Sequence, residues 1–213
     1  MKNINIVIMG APNSGKGTVC ESLCKEFNLF HLSTGQILRD NIEKNTPLGK
    51  IVKPYMRSVV PDDLVTQMVL EQIKSTEGFN GVVFDGYPRT MPQALALDNN
   101  VKIDLIILLD YEKEEEEKLI ARAISRVVCT KCKATLSKSM LNNGNCPHCG
   151  AKTTVRDDAN EKIAKARMEV FKQVTVPVVE HYSNRIVKIN AFIGKENVWE
   201  KVKALVLNLL ERE

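Results

Sequence analysis

No apolar run in this sequence of 213 residues approaches the length of a membrane span. We expect no secretory leader either, because the chain enters a short strand-like run almost at once. The net charge of +4 is mild and spread along the chain, so the basic patch of a nucleic-acid-binding protein is lacking. There is no internal repeat, and the acidic stretch 114–117 is interpreted as a solvated helix face. We therefore expect neither a membrane nor a nucleic-acid partner, and predict a cytoplasmic protein with one core and a small inserted module.

A phosphate-binding pattern, G-x-x-x-x-G-K, occupies residues 10–16. The apolar run Ile4–Met9 precedes it, as a buried parallel strand would, and an amphipathic helix is predicted over Lys16–Phe27. In such a loop the backbone N–H groups converge on a phosphate and the lysine reaches the outer phosphates, while Thr18 offers a hydroxyl near a magnesium ion. A purely structural glycine turn is the alternative, and the flanking strand and helix favour phosphate binding.

Apolar runs and helical patterns alternate along the rest of the chain, which predicts an α/β fold with a doubly wound parallel sheet. Further strands are predicted at Val82–Phe84, Ile103–Leu109 and Arg185–Ile189. Further helices are predicted from Ser33 or Thr34, over Leu48–Met56, from Pro61, from Pro92, over Glu112–Ser125, over Asn160–Tyr182 with a kink at Pro177, and over Glu196–Leu210. Arg122 and Arg126 are four apart, which would place them on one face of the predicted helix Glu112–Ser125.

Asp85 follows the second predicted strand directly. Acidic residues at the carboxyl end of a parallel strand lie where α/β sheets bind ligands. Near a phosphate loop, we expect this carboxylate to hold water molecules around a magnesium ion. A simple Asp-Gly turn is the alternative interpretation.

Four of the six cysteines form two C-x-x-C pairs separated by thirteen residues, Cys129 with Cys132 and Cys146 with Cys149. This spacing predicts a structural, tetrahedral zinc site that supplies much of the stability of its small module. Thiolates also accept iron, so the metal is left open between zinc and iron. His148 could compete as a ligand, but with four cysteines present we treat it as a bystander.

The other two cysteines, Cys20 and Cys24, lie four apart on one face of the first helix. We interpret them as small buried hydrophobic side chains rather than as a redox pair.

These separated motifs together resemble the adenylate kinases that carry a zinc-bound lid, over nearly the whole chain. The matching segments are GAPNSGKGT at 10–18, STGQILR at 33–39, VPDDLV at 60–65, DGYPRT at 85–90, Gln93, Arg122 with Arg126, the cysteine quartet, and Arg156 with Asp158 and Arg167. The resemblance implies a single P-loop kinase core over 1–213, a helical nucleoside-monophosphate-binding insert at 33–62 and a lid at 126–163. The implied reaction is reversible: MgATP and AMP give two ADP.

The resemblance also implies roles for individual residues. For ATP binding it implies Gly10, Ala11, Pro12, Asn13, Ser14, Gly15, Lys16, Gly17, Thr18, Arg122, Arg126, Thr135 and Leu136. For AMP binding it implies Thr34, Arg39, Val59, Val60, Gly86, Arg89, Gln93, Arg156 and Arg167. For catalysis it implies Lys16, Arg39, Arg89, Arg126, Arg156, Arg167, Asp85 and Asp158. The implied cofactors are a structural Zn²⁺ in the lid and a Mg²⁺ carried with ATP, the implied partners are the nucleotides ATP, AMP and ADP, and a monomer is expected.

Some positions depart from the family's usual pattern. Asn13 stands in place of a glycine, and we expect the loop to tolerate it because asparagine adopts left-handed backbone angles better than most residues. Gln36 and Ala159 replace usual aspartates, and the segment 56–60 is shorter than usual. The remaining departures are Val127 in place of an arginine and Leu136 in place of an aromatic residue.

Two alternatives to an adenylate kinase stay open at this point. The shortened segment is compatible with a kinase that prefers another monophosphate such as UMP or CMP. The replaced aspartates are compatible with a zinc-stabilised nucleotide-binding or scaffolding protein with little turnover. The arginines implied by the resemblance favour an enzyme over this last class, because a protein that only binds nucleotide does not need them.

Overall fold

The computed structural model of the protein describes residues 3–57, 60–156 and 159–211. The strands of these residues are β1 (Ile4–Gly10), β2 (Phe30–Ser33), β3 (Gly81–Asp85), β4 (Leu105–Asp110), β5 (Arg126–Cys129), β6 (Thr135–Ser137), β7 (Thr153–Val155) and β8 (Ile186–Asn190). The α-helices are α1 (Lys16–Phe27), α2 (Thr34–Glu43), α3 (Pro47–Val52), α4 (Asp62–Ile73), α5 (Met91–Asn100), α6 (Glu116–Ile124), α7 (Glu161–Val170), α8 (Val176–His181) and α9 (Lys195–Glu211). Short 3₁₀ segments cover Lys53–Arg57, Lys113–Glu115 and Lys138–Met140, and a π-helical segment covers Phe171–Thr175.

Five parallel strands form the central sheet in the order β2-β3-β1-β4-β8. The prediction of a parallel sheet flanked by helices is therefore confirmed, and so are the four predicted strands in it. The strand β2 is not among the predicted elements, because its four residues are too short a segment for an alternating pattern to stand out.

Both faces of the sheet are buried, which explains why β1, β3 and β4 are almost continuously apolar. Side chains alternate between the faces along each strand, so Ile6 and Ile8 pack towards α1 and α9. Val7 and Met9 face the opposite side, where α4, α5 and α8 cover the sheet.

The helix boundaries correct two expectations. The pattern over 112–125 is interrupted, since a 3₁₀ turn precedes α6 and α6 ends at Ile124. Arg126 is therefore the first residue of β5, and the prediction that it shares a helix face with Arg122 is wrong. The predicted helix over 160–182 consists of three consecutive segments, which are α7, the π-helical segment and α8. Pro177 lies in the first turn of α8, where its missing N–H is tolerated.

The chain divides into two compact units. The first consists of the described parts of Met1–Gly10, Gly15–Asp110 and Val174–Glu213, and it holds the parallel sheet. The second consists of the described parts of Ala11–Ser14 and Tyr111–Gln173, and it holds α6, α7 and an antiparallel sheet in the order β6-β5-β7. The predicted lid segment falls in the second unit, and the predicted monophosphate-binding insert falls in the first; their roles stay predictions.

No helix of the described ranges combines the length and the apolar character that crossing a bilayer requires.

Candidate functional site

The loop between β1 and α1 has the backbone that a phosphate-binding loop needs. Asn13 and Gly15 have φ angles of +66° and +100°, in the left-handed half of conformational space. Asparagine is one of the few side chains that tolerate this region, so the expectation for Asn13 is confirmed. Gly15 occupies the N-cap position of α1 without a side-chain cap. No N-cap side chain therefore accepts a hydrogen bond from the first N–H groups of α1, at the positive end of the helix dipole.

Lys16 and Asp85 both lie beside this end of α1 in the first unit. The Lys16 ammonium donates a hydrogen bond to the carbonyl oxygen of Gly10 at 2.8 Å. A Cβ atom at Gly17 would lie 3.8 Å from Oδ2 of Asp85, so the carboxylate faces the first turn of the helix.

The environment of Asp85 keeps its side chain ionised. Burial by itself raises the pKa of this carboxyl group. His31, whose Nε2 lies 3.2 Å from Oδ2, and the charge of Lys16 outweigh that effect, so the pKa of Asp85 falls below its usual value. A carboxylate that holds the waters of a magnesium ion needs this charge.

Four of the predicted AMP-binding residues form one hydrogen-bonded group in the first unit. The carbonyl oxygen of Gly86 accepts from Oγ1 of Thr34 at 3.0 Å and from Nε of Arg89 at 2.8 Å. The backbone N–H of Arg89 donates to Oε1 of Gln93 at 2.9 Å. Gly86 has a φ of +75°, which favours glycine at this position, and a Cβ there would lie 2.6 Å from Nη2 of Arg89 and displace the guanidinium group.

Asp62 fixes the orientation of the Gln93 amide, and sequence reasoning did not identify this role. Nε2 of Gln93 donates to Oδ1 of Asp62 at 2.7 Å, while Oε1 accepts from the backbone of Arg89. Gln93 is buried, so its two amide atoms cannot exchange places without placing donor against donor. The partners are 31 positions apart, so no local pattern signals this contact.

Arg39 is exposed on α2 and lies along its own helix. Its Nη2 donates to Oε1 of Gln36 at 2.8 Å, and Nε2 of Gln36 donates to Oδ1 of Asp40 at 2.5 Å. The resemblance predicts an aspartate at position 36, and the glutamine found there still offers Arg39 a hydrogen-bond acceptor.

Arg126 and Asn13 meet within the second unit. Nη1 of Arg126 donates to Oδ1 of Asn13 at 2.9 Å. The residue that replaces the usual loop glycine thus adds a contact that glycine could not make, and sequence reasoning did not foresee it.

The remaining predicted arginines belong to different parts of the second unit. Arg122 lies in the last turn of α6, Arg156 follows β7 and is half-buried, and Arg167 is exposed on α7. Their predicted nucleotide contacts stay predictions.

The predicted base-contacting residues also differ in burial. Thr135 is exposed at the start of β6, whereas Leu136 is buried in the apolar core of the antiparallel sheet with Val127. Val60 is half-buried against the core that α4 and α5 cover. Two further predicted residues, Val59 and Asp158, lie outside the described residues.

The four cysteines of the second unit converge as a metal site requires. All four Sγ atoms lie within 4.8 Å of one another, and the Cys129–Cys149 and Cys132–Cys146 pairs are 3.4 and 3.7 Å apart. A tetrahedral zinc ion with Zn–S bonds of about 2.3 Å would separate its sulfur ligands by about 3.8 Å. The donor set therefore fits zinc, and His148 is exposed and outside the cluster.

The backbone around Cys129 also favours the thiolate that a metal needs. Burial opposes ionisation of this thiol, but the backbone N–H groups of Cys132 and Lys131, together with hydrogen bonds from the thiols of Cys149 and Cys132, lower its pKa. The N–H of Cys132 donates to Sγ at 3.4 Å.

Comparison with known proteins gives one family. A family model described as adenylate kinase matches residues 8–187. A protein named adenylate kinase from Alkaliphilus oremlandii is 37% identical over 97% of this chain and 98% of its own. Proteins of the same name from Caldicellulosiruptor saccharolyticus and Desulforudis audaxviator are 34% and 38% identical, over 95% and 85% of this chain and 97% and 88% of theirs. The chain therefore belongs to the adenylate kinase family.

Proposed function

We propose that this protein is an ATP:AMP phosphotransferase that moves a phosphoryl group reversibly from MgATP to AMP, giving two ADP, and that the phosphate loop and a set of arginines carry the reaction. The observation that carries this proposal is the family match over 8–187, which includes the loop and every arginine assigned here. Phosphoryl transfer asks little covalent chemistry of a protein. It requires alignment of the two nucleotides and compensation of the charge on the equatorial oxygens.

The loop residues Gly10 to Thr18 would bind the ATP phosphates. Their backbone N–H groups and the dipole of α1 favour an anion, and Lys16 would exchange the Gly10 carbonyl for a phosphate oxygen, a stronger and charge-assisted partner. The hydroxyl of Ser14 is buried and has no hydrogen-bond partner among the described residues, which supports a ligand that would satisfy it.

The hydrogen-bonded group of Thr34, Gly86, Arg89 and Gln93 supports an AMP subsite. Arg89, joined by Arg39, would bind the AMP phosphate through guanidinium groups that can bond two oxygens at once. The amide of Gln93 uses one N–H and one oxygen lone pair in its contacts with Asp62 and Arg89. Its second N–H and second lone pair would be available to the donor–acceptor edge of adenine, and Thr34 would contact the base as well. Backbone contacts from Val59 and Val60 to the base complete the proposed subsite.

The second unit would supply the remaining cations. Arg126, Arg156 and Arg167 are assigned to the oxygens of the transferring phosphoryl group, where a positive charge is worth most in the transition state. Arg122, Thr135 and Leu136 are assigned to the adenosine of ATP, and Asp158 to closure of the lid. Exclusion of water on closure would suppress hydrolysis of ATP.

Two metal ions complete the proposal. The four cysteines would hold a structural Zn²⁺, with no ligand position left open for chemistry. The Mg²⁺ that arrives with ATP would add positive charge at the phosphates, and Asp85 would orient its water ligands. We further propose a monomer in the cytoplasm, a compartment where thiols stay reduced and able to bind metal.

A panel of acceptor nucleotides tests the proposal. ADP formation would be measured at fixed MgATP with AMP, CMP or UMP as the acceptor. AMP should give the highest kcat/KM, and a higher value for CMP or UMP would replace the proposal with a pyrimidine monophosphate kinase. Lys16→Ala should abolish most of the transfer, while Lys25→Ala, an exposed lysine at the other end of α1, should not. Nucleotide binding without any AMP-dependent ADP would favour the non-enzymatic alternative.

A further inference from the structure

A second group of metal-ligating side chains lies in the first unit, apart from the four cysteines. Sγ of Cys20, an imidazole nitrogen of His31 and a carboxylate oxygen of Asp85 all lie within 4.8 Å of one another. The proposed function assigns no role to Cys20 or His31.

The pairing of β2 with β3 brings these residues together. In this parallel pair His31 lies opposite Val83 and Ser33 lies opposite Asp85. Because side chains alternate along a strand, His31 and Asp85 share the face of the sheet on which Val83 lies. Val83 and Cys20 belong to the same apolar cluster, so that face is the one covered by α1. The thiol of Cys20 on α1 therefore lies against the imidazole of His31 and the carboxylate of Asp85, which project from the sheet.

The three donors form a set suited to zinc. Zn²⁺ takes cysteine sulfur, histidine nitrogen and carboxylate oxygen, often as three protein ligands with one position open. Tetrahedral bonds of 2.0–2.2 Å would separate the nitrogen and oxygen ligands by about 3.4 Å. Nε2 of His31 and Oδ2 of Asp85 are 3.2 Å apart. Mg²⁺ prefers oxygen ligands only, so this set discriminates against the metal that the reaction uses.

Charge and access also bear on binding. Burial and the charge of Asp85 raise the pKa of the Cys20 thiol, so zinc must displace its proton to solvent. The thiolate that results and the Asp85 carboxylate would together balance a dication. Lys16 and Arg89 act on Asp85 as positive charges and would weaken the affinity. Cys20 is fully buried, whereas the side chains of His31 and Asp85 are 29% and 17% exposed, so an ion would enter past these two.

We propose that Cys20, His31 and Asp85 form a zinc-binding site, and that zinc at this site inhibits phosphoryl transfer by withdrawing Asp85 from the waters of Mg²⁺. The inhibition rests on the proposed function of Asp85, whereas the binding of zinc does not. The site would make the enzyme's rate respond to free zinc.

Zinc stoichiometry tests the site itself. The full-length protein would be dialysed against buffered free zinc and its metal content measured. The wild type should bind two zinc ions and Cys20→Ala one. Cys24→Ala should still bind two, because Cys24 lies one turn further along α1 and outside the triad. A second zinc retained by Cys20→Ala, or only one bound by the wild type, would overturn the proposal.

Cobalt gives a second readout that identifies the ligand. Co²⁺ added to protein with a zinc-filled four-cysteine site should produce a thiolate-to-cobalt absorption band in the wild type and in Cys24→Ala. The band should be absent in Cys20→Ala, and His31→Gln should weaken Co²⁺ binding about tenfold or more. Unchanged cobalt binding in both Cys20→Ala and His31→Gln would contradict the assignment of the ligands.

Initial rates of ADP formation at buffered free zinc and excess Mg²⁺ test the inhibition. With zinc in the four-cysteine site and no further zinc added, the wild type, Cys20→Ala and Cys24→Ala should turn over equally. With zinc, the wild type and Cys24→Ala should be inhibited at concentrations about tenfold or more below those that affect Cys20→Ala. Chelation of zinc by ATP is the same in all three assays, so it cancels. If zinc binds to the triad and the rate is unchanged, the zinc site is supported. That result would refute both the inhibition and the proposed role of Asp85.

Discussion

The contact between Asp62 and Gln93 leads to a sharp prediction about AMP recognition. Gln93 is 5% exposed, and its Nε2 donates to the Asp62 carboxylate at 2.7 Å. Asp62→Ala removes this acceptor and leaves the amide held on one side only, by the backbone of Arg89. A hydrogen bond to a charged group contributes about 1.5–3 kcal/mol, so kcat/KM for AMP should fall about 10- to 150-fold.

The assay is the rate of ADP formation as a function of AMP at saturating MgATP, followed by the same measurement as a function of ATP. The loss should appear in KM for AMP and leave KM for ATP unchanged. Asp63→Ala is the matched control, because Asp63 shares the first turn of α4 but is exposed. Equal kinetics of the Asp62 and Asp63 variants would refute the idea that the Gln93 amide, oriented by Asp62, recognises the adenine base of AMP.

Three further predictions follow from the loop, the cysteines and the carboxylate. Asn13→Gly keeps a residue that accepts a φ of +66° and loses only the hydrogen bond to Arg126, so it should lower Tm less than Asn13→Val does; equal Tm values of the two variants in thermal melts would contradict this. Zinc chelation or Cys129→Ala should lower Tm far more than it lowers kcat at low temperature, and a melting curve indifferent to chelation would exclude a structural metal. Lys16→Met should raise the pKa of Asp85, measured from the ¹³C shift of its carboxyl group. A carboxyl group whose pKa is lowered in the folded state stabilises the fold above about pH 4, and this stabilisation is lost as the pH falls through the folded-state pKa. The Lys16→Met variant should therefore lose some stability at neutral pH. An unchanged titration of the Asp85 carbon would show that Lys16 does not lower this pKa.

The elements that could be predicted from the sequence are those specified by local pattern. The run Ile4–Met9, the glycines of the loop and the amphipathic pattern of α1 each carry their own signal, and the structure has all three as expected. The cysteine quartet is equally local, because two C-x-x-C pairs each bring their own turn.

The features that could not be predicted depend on strand pairing far along the chain. Nothing between Arg122 and Arg126 signals a helix end; α6 stops because Val127 and Val128 pair with β6 and β7. Tertiary pairing of this kind overrides local helix propensity. The His31–Asp85 contact likewise exists only in the register of β2 against β3.

The apolar core of the antiparallel sheet has a further consequence. It consists of Val127, Leu136 and two of the four cysteines of the proposed zinc site, with a few half-buried neighbours. Loss of the ion would therefore remove the organising centre of this small core, while the parallel sheet keeps its own two cores intact. Oxidation of the thiols should then open this segment as a local event, and amide hydrogen exchange should become fast in β5–β7 long before it does in β1, β3 and β4.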